Sequence, residues 1–397
     1  MTRRLILALA VAIAGMGTVG VAVAVVSGGE EGARTSAAPR APDLAECRRL
    51  GGDLARACYT REYLAMVHGR EDPRPAVAAI AKDAWKEGPS LVANCHGIMH
   101  TVGRTYASEA GVDLATLMDH LPQSNDPGCT AGFAHGMVTA IAPDIDPTRP
   151  GEAARVCGSA KTRYQNYSCI HGFGHAFMRI YGDKLGPALH LCRALGPRAA
   201  ADCAQGAYHD YWFAVVGADD ATLSGEEAVK DPRVLCGAAP EEFVRPCWYR
   251  AWVENRPEAF DVATAEDLDA LCYRLRGLQR AACITGASVI GPPDPVAQIE
   301  LCAQLATGAD AASCVRGVKV QNLLGRPIGE LVELVDRCST IAGGPRDACY
   351  RWLGKAVAVL TDGEFARAGC PRLRGTGARR ACAEGAATMD DALETFS

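Results

Sequence analysis

The sequence predicts an all-α fold of disulfide-stapled helical-hairpin repeats, either α-solenoid-like or a compact α/α array. Three observations predict it: 18 cysteines on a nearly constant spacing, turn residues between the members of each cysteine pair, and helical hydrophobic periodicity on the flanks. The 397 residues are 49% hydrophobic and 22% charged, the balance of a folded globular chain rather than a disordered one. With 41 basic against 46 acidic residues there is no excess of positive charge to form a nucleic-acid-binding face. An even and large cysteine count suits an oxidising, extracytoplasmic compartment.

From the N-terminus, Arg3 and Arg4 precede an uncharged run from Leu5 to Val26. Residues 1–26 therefore read as a signal peptide, ending near Ala22-Val23-Ala24, or as a signal-anchor helix just long enough to span a membrane. Either reading carries the remainder of the chain out of the cytoplasm, and the second makes the membrane a partner. Residues 27–45, rich in Gly, Ala, Pro and Ser, read as a flexible linker.

The cysteines then form a ruler. Ten residues separate Cys47/Cys58, Cys192/Cys203, Cys236/Cys247, Cys272/Cys283 and Cys338/Cys349; eleven separate Cys157/Cys169, Cys302/Cys314 and Cys370/Cys382. Cys95 and Cys129 remain and are paired with each other by default. Eleven residues of straight helix cover about 16 Å, whereas a disulfide holds its Cα atoms within about 7 Å, so the chain must reverse inside each pair. Turn residues lie where the reversals are needed: Gly51-Gly52, Gly196-Pro197, Ala239-Pro240, Gly277, Gly308, Gly343-Gly344-Pro345 and Gly375. Each module is expected to place one helix end at the first cysteine and the next helix start near the second. Ile328, Leu331, Val332 and Val335 show the i, i+3, i+4, i+7 spacing of a helix behind Pro327. Ser224–Glu227 and Thr264–Asp267 resemble capping boxes. A zinc reading of the cysteines is weak, because no C-x-x-C pair occurs. In general design the layout resembles the secreted cysteine-rich Sel1-like repeat proteins, in which disulfides staple helical hairpins. Their cysteine spacing is shorter, and their Leu-Gly and Tyr signatures are absent here.

A second repeat lies inside the first. Gly-x-x-His follows four cysteines: Gly97–His100 after Cys95, Gly132–His135 after Cys129, Gly172–His175 after Cys169 and Gly206–His209 after Cys203. In the first and third copies His96 and His171 precede the glycine. All nine histidines fall between His68 and His209, which divides the chain into a His-bearing region, 46–217, and a His-free region, 218–397. Histidines at i and i+4 share a helix face about 6 Å apart, close enough to share an ion. The Glu of H-E-x-x-H is replaced by Gly, so a zinc-protease base is missing. Repeated Gly in helices implies close approach of a neighbouring helix or a ligand.

The favoured site is a transition-metal centre of His96, His100, His135, His171, His175 and His209, with copper, zinc or iron as the ion. Met99, Met137 and Met178 tilt the choice slightly to copper, although core packing accounts for them as well. Glu109, Asp210 and Asp219 read as surface carboxylates, and His68, His120 and His190 as ordinary surface or helix-end residues. Phe133, Phe173, Tyr208, Tyr211 and Trp212 read as core. Asn166-Tyr167-Ser168 fits the short glycosylation pattern. A P-loop, a G-x-S-x-G elbow and a dinucleotide fingerprint are missing, and no catalytic base is identifiable. Whether the protein is an enzyme stays open. The alternative from another class is a metal-free scaffold for a protein or peptide partner, with histidine packing helix starts.

Overall fold

A computed structural model describes residues 44–87, 89–126, 128–216, 229–254 and 262–393. The expected leader at 1–26, most of the expected linker, the capping box at 224–227 and Asp219 lie outside the described residues, and α1 begins at Leu44. Among the described residues the chain is entirely helical, without strands. The helices follow in order as α1 (Leu44–Arg49) and α2 (Gly52–Val67), α3 (Arg74–Glu87) and α4 (Pro89–Ala110), α5 (Leu117–His120) and α6 (Cys129–Ala140). Then come α7 (Gly151–Cys157) and α8 (Arg163–Ile180), α9 (Leu185–Ala194) and α10 (Pro197–Val216), α11 (Pro232–Gly237) and α12 (Val244–Glu254). The last are α13 (Ala265–Leu271) and α14 (Gly277–Ser288), α15 (Pro295–Ala303) and α16 (Gly308–Val315), α17 (Ile328–Asp336) and α18 (Pro345–Leu360), and α19 (Thr376–Ala386). None of the described helices is long and apolar enough to cross a membrane.

Local chemistry explains the breaks. Thr264 and Asp267 form the expected capping box at the start of α13. Thr162, Asp294 and Thr307 each accept a backbone N–H at the starts of α8, α15 and α16. Gly196 and Gly277 take positive φ in the reversals before α10 and α14, where a side chain would be strained. Of the face its periodicity predicts, helix α17 buries Leu331 and Val335 and half-buries Ile328 and Val332; it buries Leu334 as well.

Nine disulfides form, eight in the pairing expected from spacing and the ninth in the pairing assigned by default. Cys95 pairs with Cys129 at a Cα–Cα distance of 4.9 Å. The other eight, at 5.3 to 5.8 Å, join Cys47 to Cys58, Cys157 to Cys169, Cys192 to Cys203, Cys236 to Cys247, Cys272 to Cys283, Cys302 to Cys314, Cys338 to Cys349 and Cys370 to Cys382.

One detail of the hairpin reading needs correction. The first cysteine does sit in or just after a short helix or turn, but the second lies inside the following helix rather than at its start. Cys58 is the seventh residue of α2, Cys169 of α8, Cys203 of α10, Cys283 of α14, Cys314 of α16 and Cys382 of α19. Cys247 and Cys349 come slightly earlier, fourth in α12 and fifth in α18. The physical reason is reach. The reversal uses only part of the interval, and the remaining residues wind the first turn or two of the long helix before its cysteine comes level with the first one. The staple therefore grips the long helix past its cap.

Each long helix packs on the next: α2 on α4, then α6, α8, α10, α12, α14, α16, α18 and α19 in turn. The short helices lie beside them in the hairpins. The series also returns on itself. Helix α18 touches α8, and Asn125, just before α6, donates to the Leu360 carbonyl at 3.0 Å. The C-terminal segment runs to α10, where the Leu393 amide donates to Asp202 and the Leu393 carbonyl accepts from Gln205, both at 2.8 Å. The compact α/α array, of the two expected forms, is the one observed.

Candidate metal centre

Glycine brings the helices together. A Cβ added to Gly132 of α6 would fall on the His96 carbonyl of α4, and one on Gly136 would fall on that of His100. Between α8 and α10 the pattern repeats, with Gly206 on the His171 carbonyl and Gly174 on that of Cys203. Backbone thus meets backbone at these four glycines, while Gly97 faces the Arg56 side chain and Gly172 the Val138 side chain, so each answers to a neighbouring helix. The rule extends beyond the histidine modules. Glycine three residues after a cysteine recurs at Gly286, Gly317 and Gly385, each against the backbone of the preceding or neighbouring helix. Glycine is the structural half of the motif. Six residues after the cysteine lies the chemical half: His135, His175 and His209, then Val253, Val289 and Val320 in later modules.

Because the helices approach so closely, their imidazoles meet. Ring centroids of His96 and His100 lie 4.9 Å apart, and His135 lies 5.1 and 5.3 Å from them. His135 stacks on His171 at 4.6 Å, and His171 is 4.9 Å from His175. His209 is 5.0 Å from His175 and 5.9 Å from both His96 and His171. His100 and His175 close the group at 5.1 Å. All six histidines expected at the site, from four successive long helices, therefore share one interior cluster. His135, His171 and His175 are at most 3% exposed; His96, His100 and His209 are half-buried and form the open side.

In four of the rings one nitrogen is anchored and the other is bare. His175 Nδ1 donates to Asp210 Oδ1 at 2.8 Å, and His209 Nε2 lies 3.5 Å from Glu254 Oε1. His135 Nε2 contacts Ser168 Oγ at 3.1 Å, and His171 Nδ1 lies 3.5 Å from the Tyr167 hydroxyl. Tyr167 gives its proton to Gln205 Oε1, which leaves its oxygen to accept from His171. The opposite nitrogens, His135 Nδ1, His171 Nε2, His175 Nε2 and His209 Nδ1, are buried without a hydrogen-bond partner. His96 and His100 face each other, Nε2 to Nε2, at 3.1 Å. An outward N–H held by a protein acceptor and a bare inward lone pair is the arrangement of a metal-ligating histidine.

Burial keeps four of these rings neutral. Burial drives the pKa values of His100, His135, His171 and His209 well below the ordinary value, and the neighbouring imidazoles lower them further. Arg250 on α12 adds to the effect at His135, His171 and His209. It is 4% exposed and bonded to Gln205 and Glu254. Neutral imidazole is the ligating form.

Some residues of this outer layer carry no metal-site motif and were missed by the sequence reading: Arg250, Glu254, Gln205, Tyr167 and Ser168. One usable signal existed, since Arg250 stands three residues after Cys247, in the register held by glycine elsewhere. Asp210, expected as a surface charge, instead anchors His175, because its module turns that face of α10 toward the cluster. Glu109 does lie at the surface, paired with exposed His68, and His190 is exposed. His120 bonds the Tyr106 hydroxyl at 2.9 Å, away from the cluster. Met99, Met137 and Met178 are core, as are Phe133, Phe173, Tyr208, Tyr211 and Trp212. The glycosylation pattern falls within α8, with Ser168 buried and Asn166 Nδ2 bonded to the Cys157 carbonyl. A cavity of about 300 Å³, lined in part by Thr130, Ala134, Gln165 and Ser168, reaches the residue behind His135. No family model matches the chain, and neither a curated protein nor a solved structure does.

Proposed function

We propose that this protein binds a transition metal outside the cytoplasm through His96, His100, His135, His171, His175 and His209. Nine disulfides and the lack of any free cysteine among the described residues support an oxidising location. One observation carries the metal reading: three buried histidines, His135, His171 and His175, sit together, each with one ring nitrogen bare and the other held. An unpaired buried polar atom costs about 1–3 kcal/mol, so several in one place are hard to explain as packing alone. Imidazole donors suit copper, zinc or iron. A bound ion supplies a Lewis acid or a redox centre. The chain's own residues orient the rings, exclude water from three of them and keep His100, His135, His171 and His209 deprotonated.

The scaffold reading gains less support. The return of α18 and the C-terminal segment onto α8 and α10 closes the series instead of leaving a long open face. Elemental analysis of the oxidised protein decides between the two. We expect stoichiometric metal, lost when His96, His100, His171 and His175 are all changed to Ala. Metal-free protein whose thermal stability ignores both added ions and chelators would contradict the reading.

A further inference from the structure

The six imidazoles are too many for one ion as they are placed. Metal–nitrogen bonds of about 2.0–2.1 Å put the donors of a single ion within about 4.2 Å of one another. Within 4.8 Å the donor atoms form two overlapping sets of three, His96, His100 and His135 in one, His135, His171 and His175 in the other; they share His135, and His209 belongs to neither. One ion in the first set leaves His171 Nε2, His175 Nε2 and His209 Nδ1 bare. One ion in the second leaves the His96–His100 pair and His209 Nδ1 unused. Resting on the metal reading above, we propose that the cluster is a dinuclear centre, with one ion held by His96, His100 and His135 and a second by His171, His175 and His209.

His135 provides one bare nitrogen, since Ser168 occupies its Nε2, so it serves one ion fully. His209 lies outside both sets, so its ring moves inward to complete the second triad on loading; it stands 5.0 Å from His175 and 5.9 Å from His171 between ring centroids. The two triads sit side by side, with His135 stacked on His171 and His100 against His175. They are not equivalent. The second triad has carboxylates behind it, Asp210 on His175 and Glu254 on His209, which raise ligand basicity and offset cationic charge. The first triad has half-buried His96 and His100. Three protein ligands and solvent on one side leave that ion a position for an exogenous ligand.

The test is a titration of the metal-free, oxidised full-length chain with Co²⁺ and with Zn²⁺, counted by elemental analysis after removal of free ion. Two ions per chain are expected, the second triad filling first. His96→Ala/His100→Ala and His171→Ala/His175→Ala should each retain one ion. Asp210→Asn, which preserves size and fold, should weaken one binding step by about 10–100-fold and leave the other. Electron paramagnetic resonance of the fully Co²⁺-loaded protein should show spin coupling that is absent at half loading. A single ion per wild-type chain, abolished by either double variant, would overturn the dinuclear centre while sparing the metal reading. No ion in the wild type, or two ions retained in both double variants, would overturn both.

Discussion

Histidine is the residue on which this site depends, and its neighbours decide what it can do. Each of the six imidazoles sits at a cysteine-defined register on a long helix, and Asp210, Glu254, Ser168 and Tyr167 hold the outward nitrogens of four of them. The lowered pKa values of His100, His135, His171 and His209 give a pH prediction with a definite sign. In the unfolded chain these rings protonate near 6.5, whereas in the folded chain they resist it. The unfolded state therefore binds more protons as pH falls below about 6.5, and metal-free protein loses stability there, by up to about 1.4 kcal/mol per pH unit for each such ring. Denaturant melts at pH 7.5 and 5.5 should show a lower midpoint at pH 5.5, with the difference reduced in His135→Gln. An equal midpoint at both values would contradict neutral burial. At this scale the sequence announced the clustered histidines, through Gly-x-x-His, but not their supports. Ser168 reaches His135 across 33 residues, and Glu254 reaches His209 from the next long helix. No local pattern encodes contacts that depend on how modules stack.

Helix pairs bring those residues into register. Cysteine spacing and turn glycines made the hairpins legible, because a disulfide across ten or eleven residues demands a reversal. The depth of the second cysteine within each long helix, as at Cys58, Cys283 or Cys382, was not legible, since it depends on where the cap falls. Most staples tie a long helix to the short helix or turn before it, but Cys95–Cys129 ties α4 directly to α6, and those two helices carry three of the six clustered histidines. Cys95→Ala/Cys129→Ala should cost about 3–4 kcal/mol in chain entropy and weaken metal retention. Removal of Cys302–Cys314 at a similar cost should leave metal retention unchanged, as judged by unfolding curves and elemental analysis of the two variants. Gly132→Ala offers a sharper probe. Its methyl would collide with the His96 carbonyl, force α4 and α6 apart and cost about 1–3 kcal/mol. Gly377, with open space around it, should tolerate Ala with little loss.

Across the whole molecule, the His-free region acts as the brace of the His-bearing one. Arg163 and Asp202 form a pair at 2.5 Å that is almost wholly buried, and the C-terminal segment is tied into it through the Leu393 amide and the Asp391 carbonyl. Gln205 joins that segment to Tyr167 behind His171 and to Arg250. Asp202→Ala should cost about 3–5 kcal/mol, because it strands a buried guanidinium. Deleting residues 390–397 should be milder for global stability yet should raise hydrogen exchange around Tyr167 and His171. Protection there identical to wild type would show that the brace does not reach the site. The closure itself was not written in any local motif: it joins Asn125 to Leu360 and Asp202 to Leu393, 235 and 191 residues apart. Its chemistry is ordinary, amides and carbonyls satisfied across a packed seam, and only the accumulated turn of many modules brings the ends together.

X-ray absorption spectroscopy at the metal edge of the loaded, oxidised protein reads the donor atoms directly. A first shell of nitrogen at about 2.0–2.1 Å, with the multiple scattering of imidazole rings, is the predicted spectrum. A shell of sulfur at about 2.3 Å, or of oxygen alone without imidazole scattering, would mean that the ion binds elsewhere and that the gathered histidines serve another purpose.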